Sequence, residues 1–312
     1  MTTAAPVAAP PAPRRGSPAG RSQRRRTALV AYLFALPFVA SFAVFMAFPL
    51  ISSLAMSFTD FRSTDIPSPF SVNVVGFDQF AALFADEQFR RSMLNTAYFV
   101  LVGIPLTMIV ALALAVALNN GITRFRTAFR VGFYTPVVTS IVAVAVVWRF
   151  LLQPDGLINT VLGSVGITGP DWLGDPAWSM PSMIMLAVWR NTGTLMVIFL
   201  AGLQGVSAEV LEAAEVDGAG AWRRFLHVTL PMLRPTLLLG AILLSVGFLQ
   251  FFEEPFVMTK GGPLDSTLSI SYFTFNQFGF GNYGTASAAS YVLFVAIALL
   301  SMFQFRVLRS KD

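Results

Sequence analysis

Between Thr27 and Thr59 the chain carries no Asp, Glu, Lys or Arg, and Leu, Val, Phe and Ala dominate the stretch. About 20 apolar residues in a helix already match the hydrocarbon core of a bilayer, and a helix satisfies its own backbone polar groups there. Such a run commits the chain to a membrane. Arg24, Arg25 and Arg26 stand before it, so the alternatives are a secretory signal peptide or a twin-arginine export signal. A signal core is shorter, and further apolar runs follow, so the stretch reads as a span.

Six spans are expected: about Ala28 to Leu50, Asn95 to Leu118, Val131 to Leu152, Pro181 to Leu203, Pro235 to Met258 and Ala286 to Phe305. Pro37 and Pro49 are expected to kink the first, and Asn95 and Asn119 to cap the second, the alternative for the two asparagines being a place in a cavity. With 55% hydrophobic residues, 12% charged and a mean hydropathy of +0.68, the chain has too little polar surface for a soluble globule of its length. The expected fold class is an all-α integral membrane protein with six transmembrane helices. Residues 1–27, rich in Ala, Pro, Ser and Arg without apolar periodicity, are expected to be a disordered basic tail. Residues 28–312 form the transmembrane domain.

Orientation follows from Lys and Arg, which collect on the cytoplasmic side. One side holds the tail arginines, Arg124, Arg126, Arg130, Arg223, Arg224, Arg234, Arg306, Arg309 and Lys311; the other holds only Arg62, Arg90, Arg91 and Lys260. Both termini are therefore expected to be cytoplasmic, as is the loop between the fourth and fifth spans, about residues 204–234. The net charge of +5 reflects this asymmetry and does not point to nucleic acid.

That loop is a long polar excursion between two apolar runs. It reads EVLEAAEVDGAGAWRRFLHVTLPMLRP from Glu209 to Pro235 and holds the only histidine, His227. Ser207 suits a helix cap, Glu209 complements the positive end of a helix dipole, and Gly218 can supply a left-handed stop. A second short helix fits before Pro231. Ala213, Ala214, Gly218, Ala219 and Gly220 have almost no side chain, so the backbone can approach a partner surface closely.

Glu212 to Ala219 reads EAAEVDGA, and Val228-Thr229-Leu230-Pro231 follows Gly218 after nine residues. This pattern resembles the "EAA" loop of membrane-spanning permease subunits of bacterial ABC importers, in the form found in sugar importers. Gln250 to Pro263, with an acid ahead of a TxGGP turn, is similar to the end of the fifth span in the same group. The resemblance covers about Ser92 to Phe305, with the first span fitting more loosely, and the group resembles the maltose-type permeases. It implies that Glu212, Ala213, Ala214, Asp217, Gly218 and Ala219 dock into a cleft of an ATPase subunit. It further implies a second homologous permease, two ATP-binding subunits and an extracytoplasmic sugar-binding protein as partners, and a place in the bacterial cytoplasmic (inner) membrane. The bland reading of the loop is a solvated amphipathic segment.

Several chemistries are excluded. Cysteine is absent, which removes disulfides, thiolate metal sites and cysteine nucleophiles. Neither Lys260 nor Lys311 lies in a GxxxxGK[ST] loop, so ATP and Mg are expected on the partner ATPase, with no cofactor in this chain. A lone histidine excludes HExxH, and no GxSxG elbow supports a hydrolase. Gly279 to Gly284 spells GxGxxG, but without a βαβ setting, and its glycines are assigned to tight turns. The chain is therefore not expected to be an enzyme.

Sugar recognition needs aromatic faces for the ring and hydrogen-bonding groups for hydroxyls. Two places at membrane depth offer both: Trp189, Asn191 and Thr192 in the fourth span, and Gln250, Phe251, Glu253 and Glu254 in the fifth. An intramembrane carboxylate is costly and marks a site by default. Glu253 and Glu254 either meet the solute or pair with Arg149 or Arg190; Trp189 either meets the solute or anchors the interface. The resemblance thus implies a permease subunit importing a sugar, an oligosaccharide in particular, by alternating access. Another solute such as glycerol phosphate or a polyamine remains the alternative, and after it an ATP-independent channel.

Overall fold

The computed structural model describes residues 19–68, 72–120 and 126–308. It divides into two units at Ser53/Leu54.

The first unit is a single apolar rod. Helix α1 (Ala19–Phe42) passes through a π-helical turn (Ala43–Ala47) into α2 (Phe48–Met56). Pro37 is carried inside α1. The wide turn has a local cause, because Pro49 lacks an N–H for the Phe45 carbonyl and its ring crowds that turn. Residues 1–18 of the expected tail lie outside the described residues. From Ala19 onward, however, the tail is helical, a correction to the expected boundary at residue 27. Arginine is a good helix former, and a helix already nucleated by the span extends at little cost.

In the second unit, an isolated bridge pairs Thr59 with Val74 ahead of α3 (Asp78–Ala85) and α4 (Glu87–Asn120). Asp86 caps α4, its Oδ1 accepting from Phe89 N–H at 2.8 Å. Asn95 therefore lies inside the helix instead of capping it. Its Nδ2 donates to the carbonyls of Asp265 at 2.6 Å and Leu268 at 3.0 Å.

The third span is not the continuous helix expected from Val131 to Leu152. It is a pair, α5 (Arg126–Val138) and α6 (Ile141–Leu151), bent by 100°. The break falls at Ser140, which is extended (φ −56°, ψ 126°), four residues after Pro136. The five unbent candidate spans run Arg26–Met56, Glu87–Asn119, Pro176–Gln204, Arg234–Met258 and Tyr283–Val307.

After α7 (Leu157–Ser164) comes α8 (Pro176–Gln204), started by Asp175, which accepts from Ala177 N–H at 2.8 Å, with Pro176 in the first turn. The loop helices follow: α9 (Ala208–Val216), α10 (Ala221–Arg224) and, after a second π turn (Phe225–Thr229), α11 (Leu230–Met232). The fifth span is α12 (Arg234–Leu249) and α13 (Glu253–Met258), interrupted at residues 250–252; α14 (Ile270–Gly279) and α15 (Tyr283–Leu308) complete the chain.

Helix α8 is the centre of this unit, with 61% of its apolar window buried against 39% for α4 and 28% for the last span. It lies along α4, while α12 packs on α4 and α5 on α8. Several hydroxyls inside the spans are satisfied within their own helices, as where the Thr107 hydroxyl donates to Gly103 O at 2.6 Å and that of Ser245 to Ala241 O at 2.7 Å. Ties also run between helices: Gln304 Nε2 of α15 donates to Ser245 Oγ of α12 at 2.5 Å, and Ile270 N–H of α14 donates to Thr96 Oγ1 of α4 at 3.1 Å.

Candidate functional site

The loop between α8 and α12 starts where expected. Ser207 precedes α9 in an extended conformation, Glu209 is in the first turn, and Gly218 is left-handed at φ +79°. An L residue in that conformation costs about 1–2 kcal/mol, which is why glycine suits the stop. The second helix departs from expectation, since it does not end before Pro231 but continues through it by the π turn. The offset repeats that at Pro49, with the proline two residues beyond the wide turn.

Arg224 Nη1 donates to Glu215 Oε2 at 2.6 Å, clipping α10 to α9. Glu212, Ala213, Asp217 and Gly218 are exposed, and Ala214 and Ala219 are half-buried. Beside them the loop also exposes apolar side chains, Val216 at 88% and Trp222 at 73%. The loop therefore presents a small-residue corner flanked by apolar contacts and acids.

At membrane depth, Trp189 is 44% exposed and faces Trp148 of α6 with ring centroids 5.6 Å apart. It borders two apolar cavities, of about 570 Å³ with Phe129, Phe133 and Pro136, and of about 460 Å³ with Tyr98, Val102 and Val188. Helix α5 comes this close to α8 because Gly193 leaves room: a Cβ there would run into the Phe133 carbonyl. Thr192 edges the smaller cavity, but it is buried and its hydroxyl donates to Val188 O at 2.6 Å. Asn191 likewise spends its Nδ2 on Ala187 O, at 2.8 Å.

The break between α12 and α13 separates the other four residues. Gln250 and Glu253 are exposed, Glu254 is buried, and Phe251 is only 3% exposed. The Phe251 ring stacks on Phe99 at 3.9 Å with 8° between planes, which makes it a packing residue of the α4–α12 contact. Neither Glu253 nor Glu254 forms an ion pair with Arg149 or Arg190 among the described residues. Arg149 is exposed, and Arg190 Nε is buried without a hydrogen-bond partner. The two cavities beside Trp189 are lined by neither Gln250 nor Glu253, so the two sets of residues are not brought to one pocket.

A broken fifth span, a bent third span and a polar loop with a left-handed corner are the frame on which these residues sit. The family model for the inner membrane component of binding-protein-dependent transport systems matches residues 80–311. The chain belongs to that family.

As a member it is a multi-pass inner-membrane permease. It is 35% identical over 286 residues to the lactose transport system permease protein LacF of Rhizobium radiobacter, covering 90% of this chain and 94% of that one. To the trehalose/maltose transport system permease protein MalF of Thermococcus litoralis it is 31% identical, over 90% of this chain and 94% of the relative. Among solved structures, a bacterial ABC transporter involved in the import of the acidic polysaccharide alginate superposes with a TM-score of 0.76. It is 26% identical, with 92% of this chain and 97% of that chain covered. These relatives are transporter subunits and not enzymes.

The aromatic partners of Trp189 in this permease were missed by sequence reasoning. Trp148 carried a signal, as a tryptophan next to an intramembrane arginine; Phe133 carried none, since its place depends on the bend after α5.

Proposed function

We propose that this chain is the membrane-spanning subunit of an ATP-driven importer that moves a sugar, and specifically an oligosaccharide, into the cytoplasm. The reading is carried by the loop Ser207–Pro235, whose left-handed Gly218 corner sits among exposed small and apolar side chains. A partner ATPase, present in two copies and holding ATP and Mg, receives this corner through Glu212, Ala213, Ala214, Asp217, Gly218 and Ala219. The relatives named for lactose and for trehalose/maltose transport, and the neighbour that imports alginate, support a saccharide as solute.

A second homologous permease completes the pore, an extracytoplasmic sugar-binding protein delivers the solute, and both termini are cytoplasmic. Nucleotide-driven motion of the loop as a rigid clip tilts the spans and switches the cavity beside Trp189 between outward and inward access. The solute path runs past Trp189, Asn191 and Thr192 and past Gln250, Glu253 and Glu254. The test is reconstitution with the ATPase and binding protein. Sugar-loaded binding protein should raise ATP hydrolysis and drive uptake of a labelled oligosaccharide. Uptake of glycerol phosphate or a polyamine instead would replace the sugar, and uptake without ATP would remove the coupling.

A further inference from the structure

The run Gly279 to Gly284 has a use that neither the coupling loop nor the solute path absorbs. Ser63 N–H donates to Gly281 O at 2.8 Å and Gly284 N–H to Phe61 O at 2.9 Å, zipping segment 59–63 onto the turn before α15. Gly281 is left-handed at φ +80°, and a Cβ on it would strike the Ser63 side chain. A Cβ on Gly284 would meet the Thr59 carbonyl. The glycines thus let two backbones touch. Helix α3 joins the same assembly where Gln79 Nε2 donates to Thr285 Oγ1 at 2.7 Å.

Between these segments lies a cavity of about 400 Å³, the size of a small-molecule site. Unlike the cavities beside Trp189, its wall is polar, and bonds within the wall leave a defined set of groups free. Asp86 spends Oδ1 on the α4 cap and keeps Oδ2. Gln79 keeps Oε1. Asn282 Nδ2 donates to Gln277 Oε1 at 2.9 Å, which leaves Asn282 Oδ1 and Gln277 Nε2. Arg62 lines the cavity and makes no ion pair at contact distance among the described residues, its charge acting on Asp60 only at longer range. Asp60 is not free: both its oxygens accept from Asn73 at 3.0 Å, and these bonds hold its carboxyl below the usual carboxylate range. Phe61 adds an aromatic face, its ring centroid 5.8 Å from that of Tyr283.

Free donors and free acceptors are therefore interleaved beside a flat apolar face. An anion would meet Asp86 and a cation would meet Arg62, whereas a hydroxyl both gives and takes a hydrogen bond and matches the mixture. We infer that this cavity is an accessory binding site for a neutral saccharide ring on the outer face, separate from the path beside Trp189. It rests on the proposed topology, which places segments 57–86 and 259–282 outside.

The absence of cysteine gives a direct test. Ala82→Cys puts a thiol on the cavity wall, and Asp155→Cys, between α6 and α7, serves as control. In the assembled transporter in vesicles, the reaction of each thiol with an impermeant maleimide is timed with maltose, lactose or trehalose, and with betaine at matched osmolality. At least one sugar should slow the Ala82→Cys reaction by the factor 1 + [L]/Kd, about tenfold at ten times Kd. The control should be unaffected, and adding Asn282→Ala should weaken the protection. No protection by any of the three sugars, or equal slowing by betaine or in the control, overturns the site. If Ala82→Cys does not assemble, saturation-transfer NMR of maltose on the unaltered complex and on Arg62→Ala replaces it, and equal transfer overturns the site. Labelled-sugar uptake by the same vesicles keeps the two readings apart. Uptake without protection removes the cavity site alone, and protection without uptake of any sugar removes the proposed import function alone.

Discussion

Arg224 Nη1 donates to Glu215 Oε2 at 2.6 Å across the left-handed corner at Gly218, linking α10 to α9. The carboxylate is mostly exposed, and exposed pairs contribute only about 0–1 kcal/mol, so the clip sets shape more than stability. A Cβ built on Gly218 finds nothing within 4 Å, which leaves the corner open toward a partner. Gly218→Trp should therefore insert normally, with the ATPase no longer co-purifying and uptake abolished. Gly218→Asn, which tolerates the left-handed conformation, should keep most of both. Normal uptake in the tryptophan variant would remove the docking role.

Topology gives the second prediction. Cysteine at exposed Glu209 should be shielded from an impermeant thiol reagent in intact cells, and cysteine at exposed Asp155 should react. Labelling of the Glu209→Cys variant from outside would invert the membrane orientation.

How far the sequence could be read depended on whether the cause was local. Gly218 and Asp175 act on their own turn, so the loop corner was legible from one residue, and the start of α8 follows from Asp175 and Pro176. The bend at Ser140 was not, because Val131 to Leu152 carries a single charge, Arg149, and so passes as one apolar run, while Pro136 lies inside α5 without ending it. Phe251 looked like a solute contact from its neighbours Gln250 and Glu253, yet its partner Phe99 is on another span. The polar cavity needs Gln79 beside Thr285, a pairing across most of the chain that no local pattern announces.

The third prediction follows from that stack. Phe251→Ala removes a buried ring that lies flat on Phe99, a change that costs about 3–5 kcal/mol in well-packed cores. The variant should give much less folded permease at growth temperature, and the protein that does insert should transport. Full yield with lost uptake would return Phe251 to the solute path.

The last prediction concerns the two acids at the start of α13. Glu253 is exposed at the break in the fifth span, Glu254 is buried, and neither is within ion-pair distance of Arg149 or Arg190. With no contact pair to break, Glu→Gln at either position strands no hydrogen-bonded arginine, a loss that would otherwise cost about 3–5 kcal/mol. Both variants should assemble in normal yield. On the proposed solute path Glu253, the exposed acid, would accept from solute hydroxyls, and charge-assisted bonds contribute about 1.5–3 kcal/mol. Glu253→Gln should then weaken uptake about tenfold or more, since about 1.4 kcal/mol is a factor of ten. Glu254→Gln should have the smaller effect. Yield and uptake measured on the same preparations decide the matter: a collapse in yield for Glu254→Gln would show that it balances Arg190 after all, and unchanged uptake for Glu253→Gln would take that acid out of the solute path.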